Sequence, residues 1–126
     1  MAERTGSKAA WIFGLIHVFV GTAILFGSLH PIRDMLDDQA FELCRGMATL
    51  QTLNGLGLLI LSGHAAYSRP GLLIAGGTTV SAVMAYWIAF TGTHPLDLAV
   101  PLGGALVLAG WLWVIATSTK SEPTLR

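Results

Sequence analysis

Four long runs without a charged residue, at 11–29, 47–66, 72–90 and 100–117, constrain this chain more than any other feature. At 1.5 Å of helix rise per residue, runs of this length reach roughly 27–30 Å, close to the thickness of a bilayer's hydrocarbon core. All seven Lys and Arg and all seven Asp and Glu fall between or outside the runs, and charged residues make up only 11% of the chain against 53% hydrophobic. A soluble globule carries roughly 25% charged residues. The pattern predicts an all-α fold, an integral membrane four-helix bundle forming a single domain over 1–126, with the lipid bilayer as its surroundings. The first run is too long for the roughly 7–15-residue core of a signal peptide and no small-residue cleavage site follows it, so it reads as a retained span.

The connection at 31–45 carries its own pattern. Pro31 suits the first helical position, Ile32, Met35, Leu36, Ala40 and Leu43 recur at helical spacing, and Asp34, Asp38, Glu42 and Arg45 fall on the other side. This predicts an amphipathic surface helix between spans 1 and 2. Residues 67–71, with Pro70 and Gly71, read as a tight turn, and 91–97 as a second one. Arg4, Lys8, Arg69, Lys120 and Arg126 flank one side of the predicted spans and only Arg33 and Arg45 the other. Five against two predicts both termini in the cytoplasm.

Helices in lipid are held together by packing, and small residues permit it. Gly14 and Gly21 share a face with His17, Gly55 lies in the second run, and Gly103, Gly104 and Gly110 lie in the fourth; these six glycines are the candidate helix-packing positions. The second run, with Gln51 and Asn54, reads as an interior helix, and the fourth as a core-facing one. Tyr86, Trp87, Trp11, Trp111 and Trp113 follow the pattern of interfacial anchors.

Polar groups at membrane depth are functional candidates, and here they are His17, Gln51, Asn54, Thr78 and Thr79. Counting along antiparallel spans sets His17 level with Thr78, Thr79 and about Trp111, and Asn54 level with Thr22. On the other side of the membrane His30, His94, Asp34 and Asp97 offer imidazole and carboxylate, the donors zinc uses. No tight ligand spacing accompanies them, and His-Pro at a helix end is explained by capping and turn formation, so no metal site is assigned. Cys44 is the only cysteine, which excludes an internal disulfide and any CxxC motif. The net charge of zero removes the electrostatic case for nucleic-acid binding. No nucleophile motif, phosphate-binding loop or dinucleotide fingerprint is present, and no cofactor is expected.

Pro101, Gly103 and Gly104 followed by Leu108, Ala109, Gly110 and Trp111 resemble the fourth-helix signature of the YgdD/YwdK-like family of small bacterial inner-membrane proteins. Tyr86 with Ala89, Phe26 and Gly27 with His30, and Thr52 and Leu53 with Gly55 and Gly57 are similar too, so the likeness covers about residues 11–117. The chain departs from the family at the end of the first span, where Gly27, Ser28, Leu29 and His30 stand for a glycine-alanine-histidine ending, and at Gln51, which stands where the family has a histidine. The resemblance implies a compact four-helix membrane protein with an amphipathic segment after the first span, and no reaction.

Features used for association outnumber those used for chemistry. The expectation is therefore a non-enzymatic accessory or scaffolding subunit of a membrane complex in the bacterial inner membrane, partnered by another membrane protein or by copies of itself. A small oligomeric transporter or channel is the alternative, with the five intramembrane polar residues on one water path. A haem- or quinone-binding component of a redox chain is the second.

Overall fold

The computed structural model describes residues 7–120; Arg4 and Arg126, counted above for orientation, lie outside them. Five helices follow one another: α1 (Lys8–Gly27), α2 (Pro31–Met35), α3 (Asp38–Leu61), α4 (Ser68–Thr91) and α5 (Ala99–Lys120), with a 3₁₀ turn at Ala65–Tyr67 leading into α4. The fold is all-helical, and there is no strand among the described residues. Among the described residues three segments are long and apolar enough to cross a membrane: α1, α4 with its preceding turn, and α5. The expected four-span bundle is thus matched in three of its helices. The remaining long helix, α3, is long enough but less apolar than these three, because it starts at Asp38 and includes Glu42 and Arg45 as well as Gln51 and Asn54.

The surface helix expected at 31–45 is shorter than the periodicity suggested. Leu36 is extended, with φ −115° and ψ 145°. Asp37 then caps α3, its Oδ1 accepting the Ala40 amide at 2.8 Å, and satisfies one of the four amides that a helix start leaves without a partner. A capping aspartate so placed ends α2 after five residues and makes residues 38–46 the opening of the second long helix. Arg33 spans the break, reaching Asp38 at 2.7 Å and lying 4.7 Å above the Phe41 ring.

The turn expected at 67–71 is also displaced. The chain reverses earlier, through Ser62, Gly63 and the 3₁₀ turn, and Pro70 and Gly71 belong to the first turn of α4. Proline fits there because first-turn amides have no acceptor within the helix. At the far end Gly92 caps α4 at φ 67°, a left-handed conformation that side chains with a Cβ rarely adopt.

Two hairpins lie side by side. α1 packs along α3, α4 packs along α5, and the hairpins meet mainly between α3 and α4. Each is closed by a reciprocal pair of glycines. A Cβ added at Gly14 would lie 3.0 Å from the Gly55 carbonyl oxygen, and one added at Gly55 would lie 2.9 Å from the Gly14 oxygen. In the other hairpin the corresponding distances are 2.6 Å from Gly77 to the Gly103 oxygen and 2.7 Å in return. Backbones this close leave no room for any side chain, which is how helices gain contact in lipid. The seam between the hairpins is filled by Leu58, Leu61, Ile74 and Ala75 toward one end and by Met47, Ala82 and Ala85 toward the other. The expectation that the fourth run faces the core is corrected. α5 is an edge helix with only Gly103 and Gly110 buried, whereas α4 is buried against both neighbours, because α5 packs on α4 and reaches α3 chiefly through Trp111.

Candidate functional site

His17 lies midway along α1 and is buried, 3% exposed, on the face it shares with Gly14 and Gly21. Gly21 brings this face against the Thr52 side chain and the Ala48 carbonyl of α3, so the imidazole is thrust between α3 and α4. Its Nδ1 is 3.1 Å from Gln51 Nε2, and its Nε2 is 3.2 Å from Thr79 Oγ1. Thr79 in turn donates to the Ala75 carbonyl at 2.8 Å, and Tyr86 donates its phenolic proton to Gln51 Oε1.

One proton arrangement satisfies the whole chain of bonds. A carbonyl can only accept, so the single Thr79 hydroxyl proton goes to Ala75. Thr79 oxygen therefore accepts from His17, which carries its proton on Nε2. His17 Nδ1 accepts from the Gln51 amide, and this leaves Gln51 Oε1 to accept from Tyr86. Three helices are tied together by a relay anchored at one backbone carbonyl, with His17 as the neutral Nε2–H tautomer. Neither ring nitrogen keeps a free lone pair, so His17 is not disposed to ligate a haem. His64 lies apart from the relay, exposed and edge-on to Tyr67.

Above the relay is a groove of about 230 Å³ between α1 and α4. Phe13, Ile16 and Val20 form one wall, Ala82 and Val83 the other, and the relay is its floor. Phe13, Ile16 and Val83 at the mouth are 39%, 49% and 61% exposed, so the groove opens sideways from the bundle. A drug-sized pocket usually adds a few polar groups aimed at the ligand; here the polar atoms beneath are aimed at each other.

The other candidates lie elsewhere. Asn54, set level with Thr22 by the depth count, has its partner on α5. Its Oδ1 accepts the Trp111 indole proton at 3.1 Å, and the indole ring covers Gly57, where an added Cβ would lie 2.6 Å away. Thr78 is fully buried, and its hydroxyl has no hydrogen-bond partner among the described residues. The five polar residues singled out in the sequence thus divide among three places, and of these five only His17, Gln51 and Thr79 come together. Of the packing glycines, Gly14, Gly21, Gly55, Gly103 and Gly110 are buried against a neighbouring helix, whereas a Cβ at Gly104 would meet nothing within 4 Å. Gly104 lies one residue past the face that meets α4.

On the opposite side of the predicted membrane His94 Nδ1 approaches Asp97 Oδ1 at 3.7 Å, with both side chains exposed. His30 stands at the N-cap of α2 without a capping bond. No group of three or more His, Cys, Asp or Glu side chains able to hold a metal occurs among the described residues, so His30, His94, Asp34 and Asp97 do not form a centre.

Tyr86 and Trp111 correct the reading of both as interfacial anchors, since each reaches inward to α3. A signal for Tyr86 was present, because Thr79, Ala82 and Tyr86 follow each other by three and four and so share a face. Trp111 follows Gly104 by seven and lies one position past Gly110, beside the face that meets α4.

Curated relatives bear on the fold and on the membrane setting. The chain is 31% identical over 106 residues to a UPF0382 membrane protein of Staphylococcus epidermidis, with 80% of this chain and 85% of the relative covered. It is 28% identical over 116 residues to a UPF0382 membrane protein of Staphylococcus haemolyticus, with the same coverage. No family model matches the chain, and no solved structure does. With apolar helices long enough to cross a bilayer and relatives of this length and name, the chain is a multi-pass membrane protein and belongs to the UPF0382 family.

Proposed function

We propose that this protein is a four-span protein of the bacterial inner membrane, with both termini cytoplasmic, that serves as a non-enzymatic accessory or scaffolding subunit of a membrane complex or homo-oligomer. The observation that carries this reading is the relay. Its polar groups, the best candidates for chemistry or transport, bond to one another across α1, α3 and α4. A water path needs unpaired donors and acceptors along its length, and a catalytic base needs a lone pair free for a substrate; His17 offers neither.

The topology has its own support. α3 has 24 residues, about 36 Å at 1.5 Å per residue, and lies between α1 and α4, so a bilayer around those two surrounds it as well. Its charged side chains, Asp38, Glu42 and Arg45, are confined to its first eight residues, while Gln51 and Asn54 bond inward. The Lys and Arg asymmetry favours the cytoplasm for both ends. The fourth-helix motif from Pro101 to Trp111 supports kinship with the YgdD/YwdK-like proteins.

Native mass spectrometry of gently extracted membranes tests the assignment. A stoichiometric partner or a defined homo-oligomer is the expected result, and a bare monomer without a co-purifying protein would overturn it. Reporter fusions at residues 36, 64 and 95 test the topology, with only the fusion at 64 reporting from the cytoplasm.

A further inference from the structure

The groove over the relay has a size, an opening and a lining that specify its occupant. An apolar cavity of about 150 Å³ holds a benzene ring, so about 230 Å³ takes a longer piece of hydrocarbon. Its walls are Phe13, Ile16 and Val20 facing Ala82 and Val83, which offer no hydrogen bond and no charge. The floor is polar by composition, yet its donors and acceptors are engaged by one another. A headgroup or polar ring would have to break those bonds to gain its own. An alkyl chain gains apolar contact and leaves them intact, and its presence keeps the buried bonds away from competing water.

Position narrows the class further. The groove opens laterally, between helices rather than at their ends, and His17 on its floor stands about ten residues from the start of α1. At 1.5 Å per residue that is roughly 15 Å, half of a 30 Å hydrocarbon core. A chain tethered at the membrane surface reaches this depth with its lower half. From these observations we infer that the α1/α4 groove is a lipid site that holds the inner part of one phospholipid acyl chain, clamped between Phe13 and Ile16 on one side and Val83 on the other, with the relay as its floor. The site rests on the membrane setting alone and does not depend on the accessory role proposed above.

The test uses the full chain in vesicles of phosphatidylethanolamine and phosphatidylglycerol, doped with a phosphatidylethanolamine that carries a photoactivatable diazirine at mid-chain. Illumination followed by peptide mapping compares labelling at Phe13, Ile16 and Val83 with labelling at Leu112 and Ile115, which are 66% and 58% exposed on α5 and meet ordinary lipid. A retained chain gives at least a threefold excess at the groove. Val83→Trp fills the mouth and should remove the excess while leaving the α5 labels unchanged, and Ile16→Trp, from the opposite wall, repeats the test should the first variant fail to fold. Equal labelling at the groove and α5, or an excess that survives both folded variants, would overturn the inference. So would loss of the excess on adding a few mole per cent of an isoprenoid quinone, which would assign the groove to a ring-bearing lipid instead.

Discussion

Gly103 and Gly104 are adjacent in sequence and opposite in environment, and alanine at each should move stability in opposite directions. At Gly103 the new methyl would lie 2.7 Å from the Gly77 carbonyl oxygen and 2.8 Å from the Ser81 amide nitrogen, besides meeting the Ser81 hydroxyl. Two of these are backbone atoms of α4 and cannot swing aside, so α5 must retreat by about 0.8 Å to restore a contact of about 3.5 Å. A gap of about 0.5–1 Å forfeits roughly a quarter to a half of the attraction in each atom pair across the seam. The Ser81 hydroxyl would also be drawn away from the Val100 carbonyl, 3.0 Å distant. Overpacking of this kind costs about 1–3 kcal/mol. At Gly104 a methyl meets nothing within 4 Å, and replacing glycine in a helix interior gains about 0.5–1 kcal/mol. Both glycines lie inside α5, so that gain is common to the two, and reversible unfolding in mixed micelles, followed by circular dichroism, should separate the variants by the overpacking cost of about 1–3 kcal/mol. Equal effects of the two alanines would refute the placement of the α4/α5 seam.

Other substitutions probe the remaining contacts. Tyr86→Phe removes the bond to Gln51 and should destabilise by about 0.6 kcal/mol, the average for interhelical hydrogen bonds in membranes; in a Gln51→Leu background the same change should have no further effect, read by a double-mutant cycle. Trp111→Phe should cost a similar amount through the lost Asn54 bond, whereas Trp111→Ala also uncovers Gly57 and should cost about 3–5 kcal/mol, both measured by the same unfolding assay. Asp37→Ala removes the cap of α3 and should cost about 1 kcal/mol, with faster amide exchange at Ala40 as the local sign.

The helices were legible in the sequence because absence of charge over some twenty residues admits few alternatives in a chain this apolar. Their ends were less so. A helical period runs through Leu36 and Asp37 without interruption, and only the capping capacity of Asp37 marks the restart at Asp38. Periodicity reports faces, whereas caps report ends, and at this junction the cap prevails. Pro70 misled in the opposite way, since proline punctuates a helix interior but is accommodated in a first turn. In the candidate site His17 and Thr79 were level by depth, yet depth along antiparallel helices cannot reveal which face each helix turns inward. Gln51 joined the relay and Thr78 did not because α4 turns Thr79 and Tyr86 toward α1 and α3. Trp111 was hidden for a related reason, as an aromatic near a helix end looks the same from the sequence whether it points to headgroups or to a neighbouring asparagine.

The reciprocal glycines close each hairpin on itself. Between the hairpins, among the described residues, three side-chain hydrogen bonds cross: Thr79 to His17, Tyr86 to Gln51 and Trp111 to Asn54. The molecule is therefore divisible. Cut at Gly63, it yields two fragments that each retain their own backbone-to-backbone interlock and expose matching halves of the three bonds. Two such halves, made as separate chains in one membrane, carry complementary contacts through which to pair.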